Sequence, residues 1–205
     1  MLKLENVLNY SGRFLYGDIS ALKEGNYYLL GYNPGGDLNE PTLRDDIKVW
    51  GGENNIRLTP VLQHNLNKLR EAIAPRQFCW SNLYFERSGD PSLIKEKNEE
   101  IYWPVHEKVI EIIKPGCVFA FGVGKSSTPT YHKLKKLLGF EGNKESYFHS
   151  NANPDNDGWE PRVTEGRYKG RPLKLIGLPH LSRYRLSAED MEKIKEECSL
   201  MDSKQ

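Results

Sequence analysis

Tyr27-Tyr28-Leu29-Leu30-Gly31-Tyr32-Asn33-Pro34-Gly35-Gly36-Asp37 is a short apolar run that stops abruptly in Gly-Tyr-Asn-Pro-Gly-Gly. Four apolar or aromatic residues in a row suit a strand in a sheet covered on both faces. Pro34 fixes its own φ, lacks an N–H, and pushes Asn33 towards an extended conformation. Gly35 and Gly36 permit a tight turn and let another group approach the bare backbone. An amide side chain is therefore expected at the C-terminal end of a strand, where open α/β sheets place their ligand sites. Ordinary turn chemistry also accounts for Asn-Pro-Gly-Gly, so the rest of the chain has to decide between the two.

Three further apolar runs follow. Residues 78–85 are apolar apart from Ser81 and Asn82, and residues 117–121 run into Gly122-Val123-Gly124-Lys125-Ser126-Ser127. Residues 173–178 lead into Pro179-His180-Leu181-Ser182-Arg183-Tyr184-Arg185. Helical patterns separate these runs. Thr59-Pro60 supplies an N-cap and a first-turn proline, with Leu62, Leu66, Leu69 and Ile73 on one face. Residues 97–114 place Val105, Val109, Ile112 and Ile113 together before Pro115-Gly116. Thr128-Pro129 opens a third helix with Tyr131, Leu134 and Leu138 inward, and Ser187 caps a last one carrying Met191, Ile194 and Cys198.

This alternation predicts an α/β three-layer sandwich with a central, mainly parallel four-stranded sheet, residues 1–205 forming a single domain. Right-handed crossovers put all four strand C-termini on one edge. Residues 1–26 show no clear period. A long polar loop runs from Asp37 to about Arg57 around Trp50-Gly51-Gly52, and residues 140–170 fit either a hairpin or an irregular excursion.

Bulk properties narrow the function. At 205 residues, the chain can bury a full core without metal or disulfide staples. A net charge of +1 gives no global basic field, so any nucleic-acid contact must come from a local patch. Cys79, Cys117 and Cys198 are scattered with no C-x-x-C pair, as expected for reduced thiols in the cytoplasm. No long apolar run or signal-peptide core points to a membrane.

The Gly124-Lys125-Ser126 stretch invites a phosphate-loop reading, but Phe119 stands where the full motif needs its first glycine. A single backbone phosphate at that helix start remains compatible. No G-x-S-x-G elbow supports a serine hydrolase. His64, His106, His132 and His149 lack ligand spacing and read as surface residues, whereas His180 sits at a strand end beside Ser182 and two arginines.

Gly31-Tyr32-Asn33-Pro34-Gly35 resembles the first motif of the uracil-DNA glycosylase superfamily, G-x-N-P-G, in its mismatch-specific and single-strand-selective branches. Leu178-Pro179-His180-Leu181-Ser182-Arg183-Tyr184 resembles the second motif, closest to the L-P-N-P-S-G-L form of the mismatch branch. Trp80-Ser81-Asn82-Leu83 is similar to the strand whose asparagine reads the base edge, and residues 115–122 to the central P-x-x-V-x-x-x-G strand. The four stretches fall in the family's order across residues 27–185.

The resemblance implies a glycosylase that flips uracil or a related damaged base from DNA and hydrolyses its N-glycosidic bond without cofactor or metal. Asn33 would hold the attacking water, and His180 would stabilise the departing base. Asn82 would pair with the base, with Tyr32 or Trp50 stacking on it. Gly35, Gly36, Lys125, Ser126, Ser182, Arg183, Tyr184 and Arg185 would contact DNA, single- or double-stranded, from a monomer in the cytoplasm, nucleoid or nucleus. The chain departs from the pattern where His180 replaces an asparagine, Leu181 a proline and Arg183 a small residue. Two alternatives follow: a catalytically inactive module of this fold binding nucleic acid or protein, and an enzyme acting on a free nucleoside or nucleotide.

Overall fold

The computed structural model describes residue 15 and residues 21–33, 59–86, 88–94, 99–124, 129–149 and 160–202. Among them run β1 (Tyr27–Gly31), α1 (Pro60–Ala72), β2 (Phe78–Asn82), α2 (Glu99–Ile113), β3 (Cys117–Phe121) and α3 (Thr130–Leu137). β4 (Glu145–Tyr147), β5 (Arg162–Tyr168), β6 (Arg171–Leu178) and α4 (Ala188–Asp202) complete the order. Trp50, Gly35, Gly36, Lys125 and Ser126 lie outside the described residues.

The strands form one mixed six-stranded sheet in the order β2-β1-β3-β6-β5-β4. β2, β1, β3 and β6 are parallel, while β5 and β4 are antiparallel additions. The sheet is thus not the mainly parallel, four-stranded one expected. The physical reason lies at Lys169-Gly170, whose φ angles of 47° and 82° make a two-residue turn between Tyr168 and Arg171. Positive φ at both positions matches the twist of a tight hairpin, so residues 162–168 fold back onto β6 instead of looping away.

Strand side chains alternate between two cores. Tyr27, Leu29, Trp80, Phe119, Phe121, Ile176 and Leu178 pack with Leu66 and Leu69 of α1 and with Met191, Ile194 and Met201 of α4. On the opposite face Tyr28, Leu30, Val118, Ala120 and Leu175 pack with Val105, Val109 and Ile113 of α2 and with Tyr131 and Leu134 of α3. Helices therefore cover both faces of the α/β sheet.

The ends of the helices follow local chemistry. Thr59 Oγ1 accepts from Leu62 N at 3.4 Å, ahead of Pro60 at the first helical position. Ser187 and Asp190 cap α4 reciprocally: Ser187 Oγ accepts from Asp190 N at 3.0 Å, and Asp190 Oδ2 accepts from Ser187 N at 2.7 Å. Among the described residues no helix is long and apolar enough to cross a membrane.

His106, read from the sequence as a surface residue, is wholly buried. The Leu83 carbonyl, 3.0 Å from Nε2, can only accept, so Nε2 carries the proton and Nδ1 accepts from Tyr28 O–H at 2.7 Å. Burial, partly offset by the Leu83 carbonyl, pulls the histidine pKa down to about 4.

Candidate functional site

The parallel strands end in register. Gly31 pairs with Asn82, Leu30 with Ala120, and Phe121 with Leu178. Asn82, Gly31, Phe121 and Leu178 therefore form one row across the C-terminal edge, on the face covered by α1 and α4. Gly31 is the gap in that row. A Cβ there would meet Asn82 Oδ1 and the Phe121 ring, the latter at 2.8 Å. Asn82 and Phe121 thus close over bare backbone, and Asn82 is only 6% exposed. The Trp80 and Phe121 ring centroids lie 6.3 Å apart, and His180 meets Phe121 edge-on at 6.4 Å. Phe121 links the residues from three strand ends, a role its place in an apolar run does not announce.

His180 is half-buried and its Nδ1 lies 2.7 Å from Ser182 Oγ. Desolvation first, and the Arg183 guanidinium second, lower its pKa; a contact with its own backbone offsets this only in part. The neutral ring is therefore the form present at and above neutral pH.

The segment after β6 is held from α1. Asn65, fully buried, donates from Nδ2 to the carbonyls of Leu181 at 2.7 Å and Tyr184 at 2.6 Å. Its Oδ1 accepts from Leu186 N at 3.1 Å. Arg183 N and Tyr184 N both donate to the His180 carbonyl, at 2.9 and 3.1 Å. Leu181 and Leu186 are buried at either end, so Arg183, Tyr184 and Arg185 form an exposed tip on a fixed base. Sequence reasoning passed over Asn65; an amide beside Leu66 and Leu69 on the apolar face of α1 was the available signal.

The first motif divides. Tyr32, 9% exposed, belongs to the core under α2 and α3, where its ring lies 5.0 Å from that of Tyr84. It stands on the opposite face of the sheet from Asn82, and the strand alternation that places Gly31 on one face dictates this. Asn33 is half-buried at the strand end, with Nδ2 donating to the Ser88 carbonyl at 3.0 Å. Near Tyr84, on the Tyr32 side, the tyrosine hydroxyl donates to Glu99, which also pairs with Lys133 at 2.6 Å.

The structure thus brings Asn82 and His180 together around Phe121, with Ser182 behind the histidine and Arg183 beside it. Among the described residues no group of three His, Cys, Asp or Glu side chains is arranged to hold a metal ion. No family model matches the chain, and no curated protein does.

Proposed function

We propose that this chain is a DNA glycosylase of the uracil-DNA glycosylase fold, hydrolysing the N-glycosidic bond of uracil or a related base flipped from DNA. The observation that carries the reading is the meeting of Asn82 and His180 around Phe121 at the C-terminal edge of the parallel strands. The parallel order β2-β1-β3-β6, with helices on both faces, supports the fold, and the β4–β5 extension is then an addition to it.

In this reading Asn82 supplies an amide donor and acceptor to the edge of the base. Phe121 and Trp80 supply an apolar wall. His180 supplies a neutral imidazole for charge that develops on the departing base, where an oriented donor in a dry site is most effective. Asn33, tied to the loop after β2, positions water rather than acting as a strong base, so turnover is slow. Arg183, Tyr184 and Arg185 engage the phosphate backbone and the stacked bases.

The test is incubation with single- and double-stranded oligonucleotides containing uracil, a thymine mismatch or hypoxanthine, followed by alkali. Strand breaks that vanish in Asn82→Ala and Asn33→Ala support the glycosylase. DNA binding without breaks on any substrate overturns it in favour of a catalytically inactive module of the same fold. The placement of Tyr32 away from Asn82 is the observation that favours this second reading.

A further inference from the structure

Asn33 leaves the end of β1 with its Nδ2 donating to the Ser88 carbonyl at 3.0 Å. A carbonyl can only accept, so this bond decides which end of the amide faces the loop. The loop is built to hold that carbonyl still. Ser88, 4% exposed, donates from Oγ to the Asp90 carbonyl at 2.5 Å and accepts from Asp90 N at 3.0 Å. The ring closed by Ser88 Oγ and Asp90 N contains the Ser88–Gly89 peptide, and so fixes the plane of the Ser88 carbonyl. Gly89 by itself would let that plane turn. Beyond it, Asp90 Oδ1 accepts from Ser92 N at 2.9 Å and from Ser92 Oγ at 2.7 Å, capping a short helical turn over Pro91–Leu93. Ile94 then returns the chain to the core.

We propose that Ser88 is a positioning residue: its hydroxyl locks the turn to Asp90, its carbonyl takes Asn33 Nδ2, and Asn33 Oδ1 thereby becomes the acceptor for the attacking water. The inference rests on the glycosylase reading of this edge. An amide oxygen carries two lone pairs, so Oδ1 can accept from water alongside a protein donor. Accepting a proton from the water keeps the water's own lone pairs for the sugar carbon. An N–H turned towards the water would occupy one of them. With the turn at Ser88 loosened, both orientations of the Asn33 amide become accessible.

The experiment compares the full chain with Ser88→Ala, Asp90→Ala and Asp90→Asn. Asp90 is exposed, so its variants loosen the turn without opening the core, and asparagine keeps the capping oxygen. Nitrogen-15 NMR of the Asn33 side-chain amide, assigned by its loss in Asn33→Ala, reads the bond to Ser88. The expected result is slow exchange of one amide proton with water in the parent and Asp90→Asn, and fast exchange in both alanine variants. On uracil-containing oligonucleotides, kcat of the alanine variants falls about fivefold, the rate equivalent of one net hydrogen bond. KM is unchanged, and Asp90→Asn keeps the parent rate. Unchanged amide exchange in the alanine variants overturns the inference, as does a rise in KM alone, which makes the loop a DNA contact. If Ser88→Ala does not fold, the two Asp90 variants decide. If the parent cleaves no oligonucleotide, the glycosylase reading fails, and the amide exchange still decides whether Ser88 orients Asn33.

Discussion

Asn65 Nδ2 donates to the Tyr184 carbonyl at 2.6 Å across 119 residues of chain. With its bonds to Leu181 and Leu186, this one amide ties the tip of residues 182–185 to α1. Asn65→Ala leaves two carbonyls and one N–H unpaired in a buried place, and a buried polar group stripped of its partner costs about 1–3 kcal/mol. The expected loss is about 3 kcal/mol in urea unfolding. Amide exchange at Leu186 should accelerate well before that of β1 or β3.

Gly31→Ala tests the gap in the row. The new Cβ meets the Asn82 oxygen and, at 2.8 Å, the Phe121 ring, so one or both must shift. Overpacking of this kind costs about 2 kcal/mol. Oligonucleotide cleavage should disappear in protein that still melts cooperatively, because the Asn82 amide is displaced. Cleavage at the parent rate would show that Asn82 does not read the base.

Two histidines give stability opposite dependences on pH. His106 has a folded pKa near 4 against an ordinary value of 6.5. The unfolded chain therefore binds the proton first, and stability falls as pH drops from 6.5 to about 4, by up to about 3 kcal/mol. His149 is the reverse. Burial lowers its pKa, but the hydrogen bond to Asp190 at 3.0 Å and the charge of Glu189 raise it on balance. Its contribution is full below 6.5 and is lost as pH rises through the raised value. Urea midpoints measured across this range should pass through a maximum, and His149→Gln should remove the alkaline decline alone.

Lys174, 1% exposed, pairs with Glu197 of α4 and with Glu165 of β5 at 3.2 Å. Glu197→Ala leaves the buried ammonium with the more exposed partner only, and breaking a buried pair in this way costs about 3–5 kcal/mol. Lys174→Met, which removes the buried charge itself, should cost much less. Thermal melts of both variants check the asymmetry.

Arg183→Ala with Arg185→Ala should weaken DNA binding evenly across sequences. The slope of log affinity against log salt should shrink by about two, one for each phosphate no longer neutralised. An unchanged slope would remove the exposed tip from the DNA interface.

Much of the fold was legible because each parallel strand is a predominantly apolar run and each connecting helix has a one-sided apolar face. The N-caps at Thr59 and Ser187 were also readable, since they depend on local chemistry. The β4–β5 extension was not settled, because Arg162 and Thr164 break the apolar pattern. Thr164 is buried with its hydroxyl 2.5 Å from the Tyr131 hydroxyl, and Arg162 lies over the Tyr147 ring at 4.9 Å. Such polar residues enter a core only with tertiary partners that a linear sequence does not display. Within the candidate site, Asn82 and His180 were visible as polar residues at strand ends. Phe121, Asn65 and the division of Gly31 from Tyr32 depend on which face each residue occupies.

The pairing of Gly31 with Asn82 has a consequence for how this chain can change over evolutionary time. Side chains alternate with a period of two, so the edge is set by odd-and-even parity as much as by residue type. Residues added between β1 and α1, or between β3 and α3, lengthen a connection and leave the parity intact. One residue added or removed inside β1 would exchange Gly31 for Leu30 or Tyr32 beneath the Asn82 amide and fill the gap. Length variation among descendants of this sequence should therefore gather in the connections and be excluded from the strands that end in this row.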